Sequence, residues 1–102
     1  MPITVTPVTT TESAAQGLAV AWEGCQFVMI VAARGLVSCG VIDCPVMQRF
    51  GAAVAVARGT PERPLKSPED LLEAKIQEVT EPAAALGVTV GMTGREALEK
   101  LS

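Results

Sequence analysis

Two neighbouring apolar segments constrain the fold of this chain more than any other feature. Phe27–Ala33 and Leu36–Ile42 consist of apolar or small residues, and the tight-turn pair Arg34–Gly35 separates them. Each segment has the length of a strand, and neither alternates between apolar and polar residues. We therefore expect two adjacent strands that are shielded from water on both faces.

Two further strands are predicted before this pair. Ile3–Val8 alternates branched apolar residues with threonine, the pattern of a half-buried strand, and Pro7 indicates a sheet edge because proline cannot donate to a β-ladder. A polar connection, Thr9–Ser13, leads to Gly17–Trp22, which a turn at Glu23–Gly24 joins to the first apolar segment. The three successive strands from Gly17 onward, joined by short turns, predict an antiparallel meander.

Short helices and one further strand are predicted in the rest of the chain. Each helix begins after a residue whose side chain can accept a hydrogen bond from a free backbone N–H. Lys75–Thr80 fits a short strand and a helix equally well. The predicted elements are a helix Cys44–Phe50 capped by Asp43, a strand Ala52–Ala57, a loop Gly59–Lys66, and helices that begin at Ser67–Asp70, at Thr80–Pro82 and after Thr93.

Charged residues are concentrated in the second part of the sequence. Residues 1–57 hold five of the nineteen charged side chains, and residues 58–102 hold fourteen. We predict a single α+β domain over residues 1–102, with a strand-rich apolar half (1–57) and a mostly helical half (58–102). The expected architecture is a mainly antiparallel sheet with helices on one side.

The apolar strands have more surface to bury than the predicted helices can cover. At about 25 cal/mol per Å², a few exposed Val and Ile side chains forgo a large share of a small domain's net stability. A second copy of the same sheet would cover the other face. The sequence therefore predicts a homo-oligomer, a dimer or a tetramer, assembled through the N-terminal β region. The alternative is a sheet enclosed on both faces by the helices of its own chain.

The composition argues against several classes of function. A net charge of −3 disfavours binding to nucleic acid or to an anionic membrane, and no apolar run approaches the roughly 20 residues of a membrane-spanning helix. The absence of histidine removes Ser-His and Cys-His catalysis and most catalytic zinc sites, so we expect no metal and no cofactor. Three cysteines, an odd number, fit reduced thiols in a cytoplasmic protein.

The start of the last predicted helix is a candidate binding site. Thr93 and Glu96 have the spacing of a capping box, and Gly91 is expected to adopt a positive φ before it. Gly94 is a poor helix former, and Arg95 places a cation at the positive end of the helix dipole. Together with the cap they could hold a carboxylate or phosphate. The structural alternative is an ion pair between Arg95 and a carboxylate of this or a neighbouring chain.

Cys39 and Asp43 form a second candidate site, in the segment Ser38–Asp43 between the second apolar strand and the first helix. A thiol in this position could act as a nucleophile if a base, a cation or a helix N-terminus lowered its pKa. Without histidine, Arg58 or Arg95 would have to lie beside it. The structural alternatives are Cys39 as a small apolar filler and Asp43 as a helix cap.

Three segments of the chain resemble the YunC-like family, domain of unknown function 1805, which occurs in bacteria and archaea. They are Ser38–Asp43 (SCGVID), Ser67–Gly87 (SPEDLLEAKIQEVTEPAAALG) and Leu86–Leu101 (LGVTVGMTGREALEKL), and the resemblance extends from about Gly17 onward. It implies an N-terminal β-sheet region that assembles into tetramers. It implies no activity, substrate or catalytic residue.

The sequence thus favours a small oligomeric domain without catalytic activity, which acts as a ligand-binding or scaffold module and takes up a small anion. Two alternatives stay open. One is a small cytosolic enzyme that uses Cys39 as a reactive thiol, and the other is an interaction subunit of a larger complex. The candidate binding residues are Thr93, Gly94, Arg95, Glu96, Cys39 and Asp43.

Overall fold

The computed structural model describes residues 3–9 and 14–102, within which six strands form one sheet and four short helices pack against it. The strands are β1 Ile3–Thr9, β2 Ala14–Trp22, β3 Cys25–Val31, β4 Leu36–Ser38, β5 Val54–Ala57 and β6 Ile76–Val79. The helices are α1 Cys44–Arg49, α2 Pro68–Glu73, α3 Glu81–Ala85 and α4 Gly94–Leu101. The strand order follows the chain, and only β4 and β5 run parallel, because α1 connects them.

The predicted fold class is confirmed: the chain has an α+β fold with a mainly antiparallel sheet. Strands β2 to β4 form the expected meander, and β1, which pairs antiparallel with β2, lies at the sheet edge as predicted. Residues 75–80, which the sequence left open, contribute strand β6. Of the predicted connection Thr9–Ser13, residues 10–13 lie outside the described residues.

One strand is much shorter than expected. The sequence predicts a strand over Leu36–Ile42, but β4 ends at Ser38 and the chain then turns towards α1. The N–H of Cys39 still donates to the carbonyl oxygen of Val28 in β3, at 3.1 Å. Ile42 packs against the buried cluster of Cys44, Val54 and Val56 between α1 and β5, and it is not part of a strand. Its apolar character reflects helix packing, which an apolar run does not distinguish from the burial of a strand.

The helices begin at the predicted caps. The side chains of Asp43, Ser67 and Thr93 each accept a backbone N–H from the first turn of α1, α2 and α4, respectively. Thr80 caps α3 and is also buried, and its hydroxyl donates to Ala52 O at 2.7 Å while it accepts the N–H of Val54 at 3.0 Å. This one hydroxyl therefore joins the start of α3 to the strand below it.

The main core lies on one face of the sheet, beneath α2 and α4. Ile30 of β3 is fully buried there, together with Leu71 of α2 and with Leu98 and Leu101 of α4. Arg34 fixes the end of α4: its backbone N–H donates to Leu101 O at 2.9 Å, and its guanidinium donates to the carbonyl oxygens of Lys100 and Ser102 at 3.0 and 2.9 Å. The turn after β3 thus satisfies carbonyls that a helix end leaves without partners.

Helix α1 packs on the opposite face of the sheet and is the exception to the expected one-sided arrangement. Side chains alternate along a strand, so Val54 and Val56 of β5 point away from the main core. They form a separate buried cluster with Cys44 at the start of α1. Because the remaining residues of β5 face the main core, all four residues of this strand are buried.

The same face of the sheet is uncovered over β1, β2 and β3, and we call this region the open face. Four of its apolar side chains, Ile3, Val5, Trp22 and Val31, are exposed over half or more of their surface. None of the described residues of these three strands is charged. Trp22 and Phe27 are in edge-to-face contact there, with ring centroids 5.9 Å apart. The open face includes two rows of residues in register, Ile3, Val20 and Phe27, and Val5, Leu18 and Met29. Trp22 lies opposite Cys25 at one end of these rows, and Val31 lies opposite Gln16 at the other.

Candidate functional site

The capping box at the start of α4 is confirmed. The N–H of Thr93 donates to Glu96 Oε1 at 3.0 Å, and the N–H of Glu96 donates to Thr93 Oγ1 at 3.2 Å. Gly91 has the expected positive φ, +99°. The hydrogen bonds from the backbone N–H and the hydroxyl of Thr93 lower the pKa of the Glu96 carboxyl. The side chains of Thr93 and Glu96 are therefore both used to cap the start of α4.

Gly94 is required by packing within the chain. It is buried, and a Cβ atom at this position would collide with the backbone carbonyl of Leu71 in α2. Its N–H donates to Ala74 O at 2.8 Å. The close approach that the sequence indicated at this glycine is thus the approach of helix α2.

Arg95 has a carboxylate partner in its own chain. Its Nη2 lies 3.8 Å from Glu73 Oε1, and both side chains are mostly exposed. This contact corresponds to the structural alternative that the sequence offered for Arg95. An exposed pair at this distance contributes little to stability, about 1 kcal/mol or less.

Cys39 and Asp43 lie in the connection from β4 to α1. The thiol of Cys39 is half-buried against the main core and accepts the N–H of Val28 at 3.4 Å. Asp43 caps α1, with its Oδ1 accepting the N–H of Val46 at 3.2 Å. Within the described part of the chain, no hydrogen bond or ion pair joins this pair to the residues at the start of α4. The structure therefore divides the predicted site residues between two places.

A different cysteine lines a surface cleft. Gly40, Asp43, Cys44, Arg58 and Glu78 border an opening of about 350 Å³ next to α1. Arg58 Nη2 pairs with Glu78 Oε1 at 2.6 Å. Burial, followed by the negative charge of Glu78, raises the pKa of the Cys44 thiol, so the thiol stays protonated at neutral pH. Cys44 is thus not an activated nucleophile.

A larger cleft, of about 590 Å³, lies between the 58–66 loop and the segment that joins α2 to β6. Four basic residues line it, Arg58, Arg63, Lys66 and Lys75, together with three acidic ones, Glu62, Asp70 and Glu73, and we call it the basic cleft. Sequence reasoning missed it. The available signal is the concentration of four of the chain's eight basic residues between positions 58 and 75.

No group of three or more Cys, Asp and Glu side chains within residues 3–9 and 14–102 is arranged to hold a metal ion. In the same ranges, no helix is long and apolar enough to span a bilayer.

Comparison with known proteins identifies the family. The model of a domain of unknown function, DUF1805, matches residues 38–101, which run from the end of β4 to the end of α4. This chain belongs to the DUF1805 family. The matched range contains both candidate sites and the basic cleft, whereas β1, β2 and β3 precede it.

Two relatives of this DUF1805 chain extend the comparison. The uncharacterized protein YunC of Bacillus subtilis (strain 168) is 31% identical over 75 residues, which is 74% of this chain and 73% of that protein. A crystal structure of a protein of unknown function, TA1206 from Thermoplasma acidophilum, superposes with a TM-score of 0.87. The superposition covers 98% of this chain and 93% of that one at 19% identity, so it shows a shared fold that includes the N-terminal strands.

Proposed function

We propose that this DUF1805 protein is a non-catalytic domain that assembles with copies of itself through the open face and acts as a scaffold or binding module. The observation that carries the proposal is the uncovered apolar surface of β1, β2 and β3. Val5 and Trp22 are 59% and 54% exposed there, and both belong to the apolar surface that these strands share. Such a surface on a solitary chain costs hydrophobic stabilisation and favours association.

A second copy of the same face is the occupant that fits best. The described residues of β1, β2 and β3 carry no charge, so two such faces meet without burying an unpaired ion. Branched and aromatic side chains in register form ridges that a two-fold related copy can match. The family resemblance, with its N-terminal tetramerisation region, implies the same assembly.

The thiol chemistry favours a non-catalytic role. Cys39 accepts a backbone N–H from β3, and the pKa of Cys44 is raised by burial. Arg58, the cation beside Gly40, is paired with Glu78. The three free thiols fit a reducing compartment, and we therefore propose a cytoplasmic location.

Analytical ultracentrifugation tests the assembly. The full chain should sediment as a dimer or tetramer of the 10.6 kDa protomer at low micromolar concentration. Val5→Lys should weaken association about tenfold or more, because it buries a charge in the proposed interface.

The matched control is Thr4→Lys. Thr4 is the exposed neighbour of Val5 on the same strand, and its side chain points to the other face, so its replacement should leave the mass unchanged. A wild-type chain that sediments as a monomer would refute the proposal. An equal loss of mass in both variants would place the interface at the β1 edge instead of on the open face.

A further inference from the structure

The basic cleft contains a concentration of positive charge that is unusual for this chain. The protein has a formal net charge of −3, yet four of its eight Lys and Arg side chains line this one cleft. Its volume of about 590 Å³ lies within the range of small-molecule sites. Leu65, which is 9% exposed, and Pro64 supply an apolar part of the wall.

Three carboxylates in or beside the cleft already have hydrogen-bond or ion-pair partners. Asp70 Oδ2 accepts the backbone N–H groups of Lys66 and Ser67, both at 3.1 Å. Glu73 pairs with Arg95, and Glu78 pairs with Arg58. Glu73 and Glu78 therefore form no direct ion pair with the remaining cations, whereas Asp70 keeps its negative charge because its hydrogen bonds come from neutral N–H groups.

Three cations and two acids of the cleft are left without such a pair. Among the described residues, Arg63, Lys66 and Lys75 have no carboxylate oxygen within 4.0 Å, and the carboxylates of Glu62 and Asp70 likewise have no side-chain cation within this distance. Counting all the lining side chains, four cations face the three carboxylates of Glu62, Asp70 and Glu73, an excess of one positive charge. This excess is local, because the chain as a whole is acidic.

The loop that carries Arg63 is held in place by its own backbone. The N–H of Arg63 donates to Thr60 O and to Thr60 Oγ1, both at 3.1 Å, and the N–H of Thr60 donates to Arg63 O at 3.2 Å. Gly59 packs closely against the backbone of Arg63, Pro64 and Leu65. A fixed loop loses little backbone entropy on binding, so the backbone that carries Arg63 and the hydroxyl of Thr60 are already in position.

We infer that the basic cleft binds a small organic anion with more than one negative charge, of the phosphate or polycarboxylate class. Arg63, Lys66 and Lys75 supply charge-assisted hydrogen bonds to the anionic groups, and the apolar part of the ligand lies against Pro64 and Leu65. All of these residues belong to one chain. The inference is therefore independent of the self-assembly proposed above, and it places the anion in the cleft instead of at the start of α4.

The test is a titration of the isotopically labelled full chain, followed by amide NMR shifts, with pyrophosphate and with citrate as probes. Ionic strength is kept constant with sodium chloride. Saturable shifts are expected in residues 60–66 and at Lys75. A response to pyrophosphate alone assigns the phosphate class, and a response to citrate alone assigns the carboxylate class.

Charge-removing variants test the residues. Arg63→Gln and Lys75→Gln should each weaken binding about tenfold, the equivalent of one lost charge-assisted hydrogen bond. The control is Arg49→Gln, which removes the same charge from the exposed side of α1, far along the sequence from the cleft, and should leave the affinity unchanged.

Three outcomes would overturn the inference. Shifts that neither probe saturates would indicate general ionic screening. An equal loss of affinity in Arg49→Gln would indicate non-specific attraction. Saturable shifts centred on Gly94–Glu96, without a response in residues 60–66, would place the anion at the helix start.

Discussion

One face of the sheet is covered by a helix over two strands and is exposed over three others. Over β4 and β5 it is covered by α1, and Val56 is fully buried there. Over β1, β2 and β3 the same face is open, and Val5 is 59% exposed. Both regions are built from the same kinds of apolar residues, so composition does not separate them.

The difference follows from the size of the covering helix. Helix α1 has six residues, so it is about 9 Å long, and a helix is about 10–12 Å wide with its side chains. Strands are spaced about 4.8 Å apart, and a helix of this width therefore covers about two of them. The three N-terminal strands lie beyond its reach. An apolar strand is thus buried within its own chain only if a helix is connected close enough to cover it.

The largest effect is expected where α1 covers the sheet. Val56→Asp would place an unpaired carboxylate in a fully buried position, which costs several kcal/mol, on the order of the whole stability of a small domain. Loss of cooperative thermal unfolding, followed by circular dichroism, is the expected result. Val5→Asp on the open face is the counterpart and should retain a folded protomer. Equal loss of folding in both variants would break the distinction between the two regions.

A smaller loss of stability is expected at the contact between α2 and α4, on the face that the helices cover. Gly94→Ala inserts a methyl group against the backbone of Leu71 and should destabilise the protomer by about 1–3 kcal/mol, despite the better helix propensity of alanine. Denaturant unfolding measures the change. In Gly40→Ala, the control, the new methyl group meets only the flexible side chain of Arg58, and the effect should be small. An unchanged midpoint for Gly94→Ala would show that α2 and α4 do not approach this closely.

Acid should destabilise the protein through the helices that cover one face of the sheet, because the open face carries no ionisable carboxylate. Backbone hydrogen bonds lower the pKa of Asp70 and of Glu96 in their two capping boxes. The resulting stabilisation is present above the unfolded pKa values of about 4 and is lost as the pH falls through the lower folded values. The free energy of unfolding should therefore fall between about pH 5 and pH 3.

Asp70→Asn and Glu96→Gln provide the check on this pH dependence. Each variant should show a shallower decline in the free energy of unfolding over the same pH range, measured by urea titration. A variant curve that runs parallel to that of the wild type would show that its carboxylate does not contribute. Thr4→Ser, which changes no ionisable group, serves as the control and should follow the wild-type curve.

The smallest effect is expected at the outer side of α1. Phe50 is 80% exposed at the end of this helix, so Phe50→Ser should change protomer stability by no more than about 0.5 kcal/mol. Sedimentation should show an unchanged mass. A drop in mass would extend the self-association surface from the open face across α1, and would reduce the contrast between the two regions.

Signals that act within a few residues could be predicted from the sequence. Asp43, Ser67 and Thr93 cap helices through N–H groups only three positions away, so sequence spacing is sufficient to locate them. The edge position of β1 also follows from a local property, the missing donor of Pro7.

Contacts between distant segments could not be predicted in this way. Arg34 reads as a turn residue, yet its side chain binds carbonyls 66 and 68 positions away. Gly94 indicates a close approach, but not that Leu71 is the partner. The basic cleft requires the 58–66 loop to fold against the residues before β6, and periodicity carries no information about that pairing.

The sequence by itself determined most elements of this protein, among them its apolar N-terminal strands and the starts of its helices, because these depend on side-chain period and on hydrogen bonds between near neighbours. It did not determine the end of β4 or the strand character of residues 75–80. The tertiary structure decided which apolar surfaces are covered, where α1 lies, and which cations share a cleft. These depend on how far each connection reaches across the sheet, a distance in space that residue order does not specify.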